Sequence, residues 1–64
     1  MNRQEIFNLF LTLSQSTGLY GRLLNDILSM PEGDQDEYWE QMESIGFRSS
    51  LDVVLFVEEG RLPE

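Results

Sequence analysis

A 64-residue chain with twelve Asp or Glu, four Arg, no Lys, no His and no Cys carries a formal net charge of −8. That inventory excludes disulfides, Cys/His zinc sites, and the imidazole or amine that would activate a nucleophile. It also disfavours nucleic acid and anionic membrane as direct ligands, because both are held by basic side chains that neutralise phosphate.

The length permits a single domain, spanning residues 1–64. A chain of this size buries about 60% of the surface it exposes when unfolded, which leaves its stability marginal. With neither disulfide nor metal, regular helix packing or self-association has to make up the deficit. The start, Met1-Asn2-Arg3-Gln4-Glu5, is polar. The apolar run behind it is too short for a membrane span and lacks the basic flank and small-residue cleavage pattern of a signal peptide. A soluble cytoplasmic protein is expected, and the absence of Cys agrees with a reducing compartment.

Four helices separated by turn signals are predicted. The first covers about residues 3–14, where Ile6, Phe7, Leu9, Phe10, Leu11 and Leu13 form a wide apolar face at helical spacing. Asn2 and Glu5 have the spacing of a capping box at its start. The second covers about residues 19–29, with apolar pairs Leu19/Tyr20, Leu23/Leu24 and Ile27/Leu28 recurring every four residues. Ser16 or Thr17 caps it, Arg22 and Asp26 stand at i, i+4, and Met30-Pro31-Glu32-Gly33 turns the chain.

The third covers about residues 34–45, with Asp34 as its expected cap. Tyr38, Trp39, Met42 and Ile45 lie on one face, and Asp36, Glu37, Glu40 and Glu43 on the other. Gly46 suits the left-handed position that closes a helix. The fourth covers about residues 50–59, with Ser49 and Asp52 spaced as a capping box and Gly60 as its stop. Its β-branched content would suit a strand, but a strand would have no partner in this chain.

The apolar run Val53 to Val57 steps round the whole circumference of that helix at about 100° per residue. A small monomer covers one face of each helix more easily than every side of two. Either the fourth helix is central, or a second copy covers the excess. In the latter case the self-association surface falls on Phe7, Phe10, Val53, Phe56 and Val57 of the first and fourth helices.

Six acids lie within twelve residues: Glu32, Asp34, Asp36, Glu37, Glu40 and Glu43. Along the polar face of the third helix, Asp36, Glu37, Glu40 and Glu43 form a candidate docking ridge for a partner with a basic surface. A solvated helix face is the plainer reading, and mimicry of a phosphate track is a third. Calcium chemistry does not fit. Counted from Asp34, an EF-hand loop would need Gly at Trp39 and a closing Glu at Ile45. Acid/base work by paired carboxylates needs one of them buried, whereas these lie on the polar side. The chain is also too short to wall a substrate cavity.

Gly18-Leu19-Tyr20-Gly21 has the spacing of an RNA-clamping G-x-x-G loop, but no sheet is predicted and only Arg22 beside it is basic. Gly21 then serves close helix approach, while Gln15, Tyr20 and Arg22 could make a polar recognition spot. Trp39, on an apolar stripe, is a core anchor.

The run Ser14-Gln15-Ser16-Thr17-Gly18-Leu19-Tyr20-Gly21-Arg22-Leu23-Leu24, with Gly46-Phe47 and Asp52-Val53-Val54-Leu55-Phe56, resembles short uncharacterised helical proteins of bacteria and their mobile elements. That resemblance implies a bacterial cytoplasmic protein and carries no activity. The expectation is an all-α bundle of four short helices without catalytic, metal or cofactor site. It would act as an interaction or regulatory module on a basic protein partner, with an acidic inhibitor or nucleic-acid mimic as the alternative. A carboxylate-based metal enzyme ranks behind both.

Overall fold

In the computed structural model, which describes residues 1–63, the chain forms α1 (Arg3–Ser14), α2 (Gly18–Leu28), α3 (Glu32–Ser44) and α4 (Ser50–Glu59). No strand occurs among the described residues.

Local chemistry sets the helix ends. The Asn2 side chain accepts the Glu5 N–H at 2.9 Å, and the Glu5 carboxylate accepts the Asn2 N–H at 3.0 Å, so α1 starts with a reciprocal capping box. Thr17 caps α2 by accepting the Leu19 N–H at 3.2 Å. At the far ends of α3 and α4, Gly46 (φ 87°) and Gly60 (φ 71°) adopt the left-handed conformation that other residues rarely tolerate.

Two starts differ from expectation. Asp34 does not cap α3. The helix begins at Glu32, and the Pro31 carbonyl accepts from Asp34 and Gln35 at 2.9 and 3.0 Å, which puts Gly33 and Asp34 inside the first turn. Proline causes this by fixing its own φ and having no N–H to leave unpaired where the helix opens. Glu32 and Asp34 then stand at the positive end of the helix dipole. At α4, the Ser49 side chain makes no capping bond. Asp52 reaches one residue further back and accepts the Arg48 N–H at 2.9 Å.

The corner between α2 and α3 is held by Gln35. Its side-chain amide donates to the carbonyls of Leu28 (3.2 Å), an acceptor that the end of α2 leaves open, and of Met30 (2.8 Å) in the connection that follows.

The central helix is α1. It packs against α2, α3 and α4, whereas the backbone of α4 approaches no helix but α1. Of the two alternatives read for the fourth helix, the central position is not the one it takes. The reason lies in side-chain size. Ile6, Phe7, Leu9, Phe10 and Leu13 reach three neighbours from one helix, with Ile6 and Phe10 wholly enclosed. From α4, Val53 is enclosed and Phe56 and Val57 pack against the core.

Edge-to-face aromatic pairs organise that core. The Phe10 ring lies 5.4 Å from both Tyr20 and Trp39, at 84° and 80°. Phe7 and Tyr38 meet Trp39 at 5.3 and 5.1 Å, and Phe47 meets Phe56 at 5.6 Å. Trp39 is thus the core anchor its stripe predicted, at 7% exposure. The accessible surface is 4342 Å², close to the roughly 4,200 Å² that mass scaling gives for a folded monomer of this size.

Removing the central ring should be severe. Phe10→Ala should cost about 3–5 kcal/mol, comparable to the whole stability of a domain this small. Urea unfolding followed by circular dichroism should find the variant largely unfolded at room temperature. Gly21 has the opposite outcome. An added Cβ would meet the Ser14 Cβ at 3.9 Å, an ordinary contact, so close approach does not require glycine there. Gly21→Ala should raise stability by up to about 1 kcal/mol through helix propensity; a lowered urea midpoint would contradict that geometry.

Candidate interaction face

The acidic ridge follows from how α3 is seated. With Trp39 and Met42 buried and Tyr38 and Ile45 half-buried, the helix can turn only its other side outward. That side carries Asp36, Glu37, Glu40 and Glu43, all exposed. The structure places the four together on one face but gives them two different roles.

Asp36 and Glu43 lean against the start of α1. The Glu43 carboxylate accepts the Arg3 backbone N–H at 2.8 Å, satisfying a donor the first turn leaves open. The Arg3 guanidinium stands 3.8 Å from Asp36. Both side chains of that pair are about half or more exposed, so it fixes position more than it adds stability. Glu37 and Glu40 have no base beside them. With Gln41 and Ser44 they line an open groove of about 420 Å³. The Gln41 amide donates to Glu37 at 3.2 Å, and the Ser44 hydroxyl donates to the Gln41 carbonyl at 2.8 Å. The groove therefore presents two carboxylates with an amide and a hydroxyl already committed to holding its floor.

The acids are strung along the helix, and among the described residues no three carboxylates converge in a way that could hold a metal ion. Ion pairs among the described residues are Arg3–Asp36 and Arg61–Glu59; the i, i+4 pairing expected between Arg22 and Asp26 is not formed.

The polar spot expected from Gln15, Tyr20 and Arg22 is not assembled. Tyr20 points into the core at 1% exposure, while Gln15 and Arg22 stay outside. The Tyr20 hydroxyl donates to the Glu58 carboxylate at 3.2 Å, joining α2 to the end of α4. Burial, and then the charge and hydrogen bond of Glu58, push the Tyr20 phenol up to about 12. Burial also raises Tyr38.

The self-association surface needs correction as well. Phe10 and Val53 are fully enclosed within one chain and have nothing left to offer a second copy. Phe7, Phe56 and Val57 are half-buried against the same core. The apolar residues standing free are others: Leu11, Leu19, Leu28, Leu51 and Leu62. Arg3 with Asp36 and Glu43, Tyr20 with Glu58, and the Gln35 corner carried no fixed-spacing signal. The first two join residues more than thirty positions apart, and only assembly brings them together.

No helix among the described residues is long and apolar enough to cross a membrane. No family model, curated protein or solved structure matches the chain.

Tyr20 gives the fold a pH signature. The unfolded chain loses that proton near the ordinary value of 10.0, while the folded chain holds it to about 12. Its contribution is therefore complete below pH 10 and declines as pH rises towards 12, by up to about 1.4 kcal/mol per pH unit. Urea midpoints recorded across that window should fall less steeply in Tyr20→Phe than in the parent chain; parallel curves would show that Tyr20 is not the group responsible.

Proposed function

We propose that the protein is a non-enzymatic interaction module that docks the outer face of α3 on a protein with a basic surface. The observation that carries this reading is the disposition of the four acids. Asp36, Glu37, Glu40 and Glu43 are all exposed along one helix side, and the contacts to Arg3 lie at its α1 edge, leaving Glu37 and Glu40 open. Opposite charge on a partner would steer encounter and set register on such a ridge.

The ridge also favours a protein over nucleic-acid mimicry. Asp36 to Glu43 spans about 10 Å of a single helix, and a phosphate-track mimic needs charge repeated over a longer, two-dimensional array. Catalysis has less support still, since the groove beside Glu37 and Glu40 is open to solvent and its carboxylates are exposed.

The two roles within the ridge make the test selective. In pull-downs from lysate, Glu37→Lys with Glu40→Lys should weaken capture of the partner by about tenfold or more, and added salt should weaken the parent interaction in the same direction. The double variant should keep its helical content, because both side chains are exposed. Capture unchanged by the reversal would leave the ridge as a solvated face and remove the proposal.

A further inference from the structure

Of the four helices, α4 is the least committed to the core. Among the described residues it buries one side chain, Val53, against two from α1, three from α2 and two from α3. Phe56 and Val57 are half-buried beside it, and Leu51 is 63% exposed. The backbone of α4 approaches no helix but α1, whereas α1, α2 and α3 each approach the other two. Its ten residues are also too few to persist as a helix in water without packing. Once off α1, the segment loses its helix as well.

The chain on either side of α4 permits that departure. Phe47 is buried at 1% exposure and its carbonyl accepts from the Met1 nitrogen, so the connection is pinned as far as that residue. Arg48 and Ser49 follow, both exposed, and the Ser49 side chain makes no capping bond. The Arg48 N–H donates to Asp52 of α4 itself, a local bond that ties nothing to the core. Beyond the helix, Gly60, Arg61 and Leu62 are exposed. One side-chain hydrogen bond joins α4 to another helix among the described residues. It runs from the buried Tyr20 hydroxyl to the Glu58 carboxylate at 3.2 Å, and the charge on its acceptor strengthens it.

We propose that α4 is a flap. It lifts from α1 and unfolds as a unit about the hinge at Arg48 and Ser49 while α1, α2 and α3 stay assembled, and the Tyr20–Glu58 bond is the latch on its far end. The part that stays has its own organisation. The pairs of Phe10 with Tyr20 and with Trp39 lie wholly within it, as do the Arg3–Glu43 bond and the Gln35 corner. Opening withdraws Val53, Phe56 and Val57 from the core, breaks the Phe47–Phe56 pair and releases the latch. A small domain ordinarily opens as one cooperative unit. The flap gives this one a second, three-helix state reached at lower free energy than global unfolding.

Amide hydrogen exchange of the full chain, followed residue by residue by NMR at low urea concentrations, tests it. The amides of Leu55, Phe56 and Val57 should exchange about tenfold or more faster than that of Phe10, and with a smaller dependence on urea, because flap opening exposes less surface than global unfolding. Ile27→Val loosens α2, whose backbone does not approach α4. It should speed exchange at Phe10 by about threefold or more and leave the three α4 amides at their parent rates. Tyr20→Phe removes the latch and should speed exchange of those α4 amides by about threefold or more. Equal protection and equal urea dependence in α1 and α4 would overturn the flap, as would α4 amides that follow Phe10 in Ile27→Val. Unchanged α4 exchange in Tyr20→Phe would overturn the latch.

Discussion

The Phe10 ring is the constraint on which the other packing depends. It is carried by the central helix and meets Tyr20 of α2 and Trp39 of α3 edge-to-face at the same 5.4 Å. Each of those rings passes the contact on. Trp39 takes Phe7 and Tyr38 on other sides, and the Tyr20 hydroxyl reaches Glu58 at the end of α4. One connected chain of rings and a single hydrogen bond thus touches all four helices. A protein this small has few fully enclosed positions, and filling them with aromatic rings gives the most buried area per residue along with a preferred geometry. This arrangement explains how a chain without a disulfide can hold a definite shape.

Attachment to that frame is uneven. α1, α2 and α3 share mutual contacts, whereas the backbone of α4 approaches that of α1 alone. α4 is held by Val53, by the Phe47–Phe56 pair and by Glu58 on Tyr20. The Phe47 carbonyl accepts from the Met1 nitrogen, which ties the strand of chain leading into α4 to the start of α1. Regions with fewer buried contacts open at lower free energy than the rest of a domain.

Spacing within the chain was enough to read most of the helical plan. The Asn2–Glu5 box, the Thr17 cap and the left-handed glycines at 46 and 60 are local devices, and each appears at its predicted place. So does the burial of Trp39, which follows from a stripe of period near 3.6. The misread positions have a common physical character. Asp34 looked like a cap because acids favour caps, yet Pro31 had already begun the turn. Tyr20 belongs to the apolar stripe read for the second helix and is buried with Leu24 and Ile27, so the polar recognition spot it could have made with Gln15 and Arg22 does not form. Val53 to Val57 are apolar all round, and periodicity cannot rank such a helix as central or peripheral. Competition among helices for the core decided that, and α1 presented the larger side chains.

The same competition divides the acidic ridge. Sequence shows Asp36, Glu37, Glu40 and Glu43 as equivalent members of one face, but packing α3 against α1 spends two of them internally. Glu43 completes the first turn of α1, and Asp36 sits beside Arg3. What remains outward is a narrower pair, Glu37 and Glu40, above a groove whose floor is already fixed. Half of the acids fall between Glu32 and Glu43, whereas the exposed leucines lie outside α3, at Leu11, Leu19, Leu28, Leu51 and Leu62. Net charge of −8 opposes association on any face that carries it. The aromatic contacts of Trp39 and Tyr38 beneath α3 hold that outward pair in fixed relation to the rest of the domain.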